Sequence, residues 1–81
     1  MPRLRRLTAR QVLRALGGFG FDIVATHGSH AKLVRCLPDG ERQVLTVPIH
    51  KHLAVGTLRA IVRQAARFVP SRDLQREFFT D

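Results

Sequence analysis

The segment FDIVATHGSHAKLVRCLPDGERQVLTVP, residues 21–48, decides the fold. It contains three stretches with the β-branched, aromatic and apolar content of strands, separated by two short turns that carry glycine. The strands are predicted at residues 21–27, 30–37 and 42–47. The turns are Gly28-Ser29 and Pro38-Asp39-Gly40. Because such short connections join antiparallel neighbours, we expect two hairpins that form one three-stranded sheet, with Pro48 ending the last strand.

One helix is predicted before this sheet in the chain, and another is predicted after it. Before it, Gln11 follows Thr8 by three residues, the spacing of a capping box, so a helix is expected from about residue 8 to the glycines at 17 and 18. Its apolar face consists of Val12, Leu13 and Leu16. After the sheet, a helix is expected to about residue 67, with Thr57 as its cap. Its apolar stripe consists of Leu58, Ile61, Val62 and Ala65.

The length of 81 residues allows one domain with one modest core. Pro70 ends the second long helix, and a third, short helix is expected over residues 71–79 with Ser71 as its cap. We expect the apolar residues of this tail to close over the core; they are Leu74, Phe78 and Phe79. The predicted class is therefore α+β, one sheet with helices on one face, as a single domain over residues 1–81 with a core at about 8–69 and an extension at 70–81.

The composition points to a polyanionic partner. The chain carries 14 Lys and Arg against 6 Asp and Glu, a formal charge of +8, which favours nucleic acid first and a membrane surface second. A single cysteine, Cys36, excludes an intramolecular disulfide and favours the cytoplasm. The basic amino terminus has no continuous apolar stretch, so neither a signal peptide nor a membrane span is expected.

Basic side chains recur on the two predicted long helices. The residues expected to follow a phosphate backbone are Arg10, Arg14, Arg59, Arg63 and Arg67. Arg59, Arg63 and Arg67 recur every four residues and share one helical face. A simple solvated helix face is the alternative interpretation of this spacing.

Gly28-Ser29-His30 is the sharpest local pattern. A glycine turn lets the backbone approach a ligand closely, and it places a histidine at the start of a strand, where the imidazole can exchange a proton near neutral pH. Ser29 can orient that imidazole or donate to a phosphate oxygen. The loop after Pro48 adds His50 and His52. Together with His27, His30 and Cys36 they are possible zinc ligands, but their spacing matches no zinc motif, and no metal site is predicted. Cys36 is expected to be a small core residue.

Four motifs in the same order together resemble the HicA toxins, the mRNA interferases of type II toxin–antitoxin pairs. They are Gly28-Ser29-His30, Pro38-Asp39-Gly40, Val47-Pro48-x-His50 and the run from Gly56 to Ala65. The resemblance covers about residues 8 to 68. It implies the fold of the double-stranded RNA-binding domain: a helix, a three-stranded antiparallel sheet and a second helix.

The resemblance also implies a metal-independent endoribonuclease, without a cofactor, whose catalytic residue is His30. By this hypothesis His30 removes the proton of a ribose 2′-hydroxyl, which attacks the adjacent phosphate and leaves a cyclic phosphate and a 5′-hydroxyl. Gly28 and Ser29 would support it, and His50 is a candidate for the second proton transfer. Lys32 joins Arg59 and Arg63 as a candidate for holding the RNA backbone.

The partners implied by the resemblance are a single-stranded mRNA substrate and a cognate HicB-like antitoxin that covers His30 and the basic surface. Because the chain has no Tyr or Trp, no tyrosine or tryptophan ring can stack on an RNA base. Two other functions stay open on the residues alone. One is a non-catalytic RNA-binding module on the same fold, and the other is a DNA-associated protein whose second helix enters a major groove.

Overall fold

The computed structural model describes residues 2–80, which form three helices and five strands. In chain order the elements are β1 (Arg3–Leu4), α1 (Ala9–Gly18), β2 (Asp22–His27), β3 (His30–Cys36), β4 (Arg42–Pro48), α2 (Val55–Ala65), α3 (Ser71–Phe78) and β5 (Phe79–Thr80). The α+β order of helix, three-stranded antiparallel sheet and helix is that of the double-stranded RNA-binding domain, which confirms the predicted fold class.

The central sheet has the order β2-β3-β4, and both pairs are antiparallel, as the short turns predict. Glycines in positive φ make both turns possible: φ is +57° at Gly28 and +90° at Gly40, a region that side chains with a Cβ rarely adopt. In the second turn the Asp39 carboxylate accepts a hydrogen bond from the Glu41 backbone at 2.8 Å. A β-bulge interrupts the β2–β3 register between Ile23 and Ala25.

The helices cover one face of this sheet. The core includes Leu33 of β3 and Leu45 of β4, together with Leu16 of α1 and Leu58 of α2, all of which are buried. On β3 the residues Ala31 and Leu33 face this core, and on β4 the residues Leu45 and Val47 do so. The intervening residues lie on the opposite face, which we call the open face.

The caps of the helices were predicted with mixed success. Thr8 caps α1 as predicted: its hydroxyl accepts from the Gln11 backbone at 3.2 Å, and the Gln11 side chain accepts from the Thr8 backbone at 2.9 Å. The prediction that Thr57 caps α2 was wrong. The helix begins at Val55, so Thr57 lies inside it, and its N-cap is Ala54, which makes no side-chain hydrogen bond. Ser71 is likewise the first residue of α3, whose N-cap is Pro70.

The carboxyl-terminal tail belongs to the core, as predicted. Leu74 and Phe78 are buried in the cluster and Phe79 packs against it. The sequence did not predict the short strand β5 that follows α3. This strand pairs antiparallel with β1, with Leu4 opposite Phe79. None of the helices within residues 2–80 has the length and apolar character needed to cross a membrane.

Arg35 of β3 is a half-buried arginine on the face of the sheet that the helices cover. Its Nε donates to Oε1 of Gln43 at 2.8 Å, and its terminal nitrogens donate to the carbonyls of Phe19 and Phe68 at 3.0 and 2.9 Å. Its guanidinium carbon also lies 4.8 Å from the centre of the Phe21 ring, at cation–π distance. This half-buried side chain therefore joins two strands to the carboxyl ends of α1 and α2.

Candidate active site

The turn Gly28-Ser29 places two histidines opposite each other. His27 ends β2, His30 begins β3, and the two residues are direct cross-strand partners. Gly28 has a φ of +57°, and among residues 2–80 only glycines have positive φ. This is the pattern of a two-residue turn with glycine in its first position. The conformation of Gly28 thus determines where His30 lies at the start of the strand.

The imidazole of His30 belongs to the open face. Along β3 the exposed residues His30 and Lys32 alternate with the buried residues Ala31 and Leu33, so His30 and Lys32 point away from the helices. On the other side of β3, Pro48 lies opposite His30 and Thr46 lies opposite Lys32. A histidine and an ammonium group two positions apart therefore share a solvent-accessible surface.

The loop after β4 is attached to the same turn. The Ile49 backbone N–H donates to the carbonyl of Ser29 at 2.6 Å, so the next residue, His50, begins its exposed loop beside the turn. His52 lies elsewhere: it lines a small cleft of about 180 Å³ together with Arg6 and Thr8. The structure thus brings His27, His30 and the backbone of His50 together and separates His52 from them.

The second helix presents two arginines to solvent. Arg59 and Arg63 are exposed on the side of α2 opposite its buried residues. Gln64 fastens the helix to the edge of the sheet, since its side-chain amide accepts from the Thr46 N–H at 3.2 Å and donates to the Thr46 carbonyl at 3.1 Å. Because Thr46 is the cross-strand partner of Lys32, this edge connects the open face with α2.

Arg67 does not share a helical face with Arg59 and Arg63, contrary to the prediction. The helix ends at Ala65, and Arg67 lies in the turn that follows. Its guanidinium carbon lies 5.1 Å from the centre of the Phe68 ring, a cation–π contact that the helical spacing did not suggest. The side chain of Arg67 remains exposed, but its backbone is part of a turn and not of the helix.

The arginines of α1 lie on a different surface from His30. Arg10 and Arg14 are both exposed, and α1 packs on the helix-covered face of the sheet. Arg14 lines a cleft of about 450 Å³ between α1 and α3, where Arg5 and Arg76 also contribute. The structure therefore does not place these two arginines beside the open face.

Lys32 on the open face and the two arginines of α2 have no acidic partner in the described part of the chain. Among residues 2–80 the ion pairs join only Arg76 to Asp73 and to Glu77, and both pairs lie in α3. Lys32, Arg59 and Arg63 are consequently available to phosphate groups.

Cys36 is not a core residue. It ends β3, on the open face, and it is exposed, because the last residue of the strand lies beyond the cover of its neighbours. Within the described part of the chain, no three His, Cys, Asp or Glu side chains are grouped so that they could hold a metal ion.

Sequence reasoning missed the relation between His27 and His30. It treated His27 only as one of several possible metal ligands. The signal was available, because the two residues that flank a two-residue hairpin turn are always direct cross-strand partners. Arg35 was missed for a different reason: its partners Phe19 and Phe68 are distant in sequence.

A model of a known protein family matches most of the chain. The family model described as the HicA toxin of bacterial toxin–antitoxin matches residues 9–66, from the first residue of α1 to just beyond α2. This range includes the turn, the open face and the two arginines of α2, and it excludes the tail that follows Pro70. Searches of curated proteins and of solved structures gave no significant match.

Proposed function

We propose that this chain, which belongs to the HicA family of toxins of bacterial toxin–antitoxin pairs, is an endoribonuclease that cleaves single-stranded mRNA through His30 without a metal ion. The placement of His30 is the main support for this activity. Its imidazole is exposed at the start of β3, on the open face, which also carries Lys32, and the ammonium group of Lys32 makes no ion pair within residues 2–80. A general base needs such access to the proton that it removes.

The proposed reaction uses the 2′-hydroxyl of the RNA as its nucleophile. Neutral His30 takes the proton of this hydroxyl, the 2′-oxygen bonds to the adjacent phosphorus, and the bond from phosphorus to the 5′-oxygen breaks. The products are a 2′,3′-cyclic phosphate and a 5′-hydroxyl. One placed histidine contributes about 10²- to 10⁴-fold to such a reaction, so we expect a slow enzyme.

Basic groups on the open face and on α2 would bind the RNA. Lys32 shares the open face with His30, and Arg63 precedes the residue that fastens α2 to the edge of the sheet. The ammonium group of Lys32 offsets the charge that develops on the phosphate oxygens during attack. We expect Arg59 and Arg63, which are exposed on α2, to bind the RNA backbone away from the cleaved bond.

The family implies a cognate antitoxin as the partner of this toxin. We propose a HicB-like protein that covers His30 and the basic surface with acidic residues, since opposite charges accelerate association and hold the complex in register. We further expect the toxin to act in the cytoplasm, where its mRNA substrate is found.

The test is cleavage of a long single-stranded RNA in the presence of a chelator. Three proteins are compared: the wild-type chain, His30→Ala, and His52→Ala as a matched control from the separate cleft. Circular dichroism verifies that all three are folded. We expect cleavage by the wild type and the control, none by His30→Ala, and none of a DNA of the same sequence, which lacks the nucleophile.

Three results would contradict the proposal. If His30→Ala cleaves as fast as the wild type, His30 is not the catalytic residue. If neither protein cleaves RNA while both bind it with equal affinity, the chain is a non-catalytic RNA-binding module. Cleavage that stops on addition of chelator would show that the activity depends on a metal ion.

A further inference from the structure

We infer that His27 is the general acid of the reaction, donating a proton to the 5′-oxygen as that oxygen leaves, while His30 acts as the base. This inference rests on the proposed ribonuclease activity and adds a second catalytic residue to it. Its basis is the cross-strand pairing of the two histidines at the end of the β2–β3 hairpin.

The pairing places both imidazoles on the open face. Directly opposed residues of antiparallel strands point to the same side of the sheet, with Cβ atoms about 4.5–5.5 Å apart. Both side chains are exposed, so neither must leave a packed position to reach a substrate. A phosphate group that sits over the end of the hairpin would therefore have one imidazole on each side.

The chemistry requires two separate proton transfers. In a displacement at phosphorus, the attacking 2′-oxygen and the leaving 5′-oxygen lie on opposite sides of the phosphorus atom. His30 takes the proton of the 2′-hydroxyl, whose electron pair forms the new bond to phosphorus. The 5′-oxygen leaves with the electron pair of the broken bond and takes the proton of the His27 imidazolium. Exchange with water then returns both histidines to their starting forms.

The other candidates fit the acid less well. Lys32 carries an ammonium group, which suits charge stabilisation instead. His52 lies in the cleft beside Arg6 and Thr8. His50 belongs to an irregular loop whose nearest tie to the turn is the backbone bond of Ile49, whereas His27 is held by the hydrogen-bonded ladder of two strands. A catalytic group on a regular element is positioned more accurately than one on a loop.

The experiment replaces the leaving oxygen by sulfur. The bond that the wild type cleaves in a long transcript is mapped first, and a short RNA is then synthesised with either the natural linkage or a 5′-bridging sulfur at that bond. A thiolate leaves without being protonated, so this substrate does not need a general acid. The natural and sulfur substrates are each tested with the wild type, His27→Ala, His30→Ala, His50→Ala and the control His52→Ala.

We expect His27→Ala to cleave the natural linkage at least about 100-fold more slowly than the wild type and the sulfur linkage at nearly the wild-type rate. His30→Ala is expected to be slow on both, and His52→Ala to match the wild type on both. A role of His27 in folding alone would slow both substrates equally, so the recovery on sulfur separates the two roles.

Three results would overturn the inference. One is cleavage of the natural linkage by His27→Ala at the rate of the wild type. Another is that this variant is slowed equally on both linkages. The third is recovery on sulfur by His50→Ala in place of His27→Ala, which would assign the acid to the loop. In each of these results the wild type still cleaves RNA, whereas a wild type that cleaves neither substrate removes the proposed function itself.

Discussion

Arg35 on the central strand donates its Nε hydrogen to Oε1 of Gln43 on β4 at 2.8 Å, on the face of the sheet that the helices cover. The same guanidinium reaches the carbonyls of Phe19 and Phe68, which lie just past the carboxyl ends of α1 and α2. A positive charge at the carboxyl end of a helix is favourable because it opposes the negative end of the helix dipole. One side chain thus holds both helices against the sheet that carries His30.

Replacing Arg35 by methionine is expected to lower the free energy of unfolding by about 2–4 kcal/mol, because charged hydrogen bonds are lost and the buried Gln43 side chain is left without its partner. Urea denaturation measures the change. Arg42→Met, at an exposed arginine of β4, is the matched control and should change stability by less than about 0.5 kcal/mol. Equal stability of the two variants would show that the network contributes nothing.

Alanine in place of Gly28 should destabilise the protein, and alanine in place of Gly17 should stabilise it. Both positions have room for a Cβ, but only Gly28 has a positive φ. The left-handed conformation costs a residue with a Cβ about 1–2 kcal/mol, whereas alanine within a helix gains about 0.5–1 kcal/mol over glycine. Thermal unfolding of both variants measures the opposite shifts. A shift in the same direction for both would contradict the role assigned to the turn conformation.

The two pairs of helix arginines should differ in their effect on RNA binding. Replacing Arg59 and Arg63 by glutamine is expected to weaken binding of single-stranded RNA about tenfold at physiological salt and to reduce the salt slope by about 1.4, the value for two lost phosphate contacts. Replacing Arg10 and Arg14 removes the same charge from α1, whereas α2 is the helix that Gln64 ties to Thr46, the cross-strand partner of Lys32, so the effect of the α1 pair should be smaller. Titrations at several salt concentrations measure both. Equal losses would indicate that net charge alone sets the affinity.

Phe78→Ala is expected to lower the free energy of unfolding by about 3–5 kcal/mol, since this side chain has 0% of its surface exposed and its removal leaves a cavity. Gln75→Ala, at an exposed position of the same helix, is the control and should change stability by less than about 0.5 kcal/mol. Chemical denaturation compares the two. If Phe78→Ala were as stable as the control, the tail after Pro70 would not be part of the cooperative fold.

Local signals determined most of the secondary structure. The capping box between Thr8 and Gln11 involves residues three apart, and the structure forms it as predicted. The cap of α2 was misplaced because Leu58 donates its backbone hydrogen to the carbonyl of Ala54, and alanine carries no side-chain signal for a cap. The exposure of Cys36 escaped prediction because alternation along a strand does not reveal which face the helices cover.

The sequence by itself determined the two hairpins, the long helices and the position of His30 at the start of a strand, because glycine turns and residue periodicity act over a few neighbouring residues. Only the tertiary structure decided that Arg35 joins both helix ends and that β5 pairs with β1. These features depend on residues far apart in the chain, such as Arg5, which donates to the carbonyl of Glu77. The direction in which the helices pack on the sheet brings such residues together, and no local pattern encodes it.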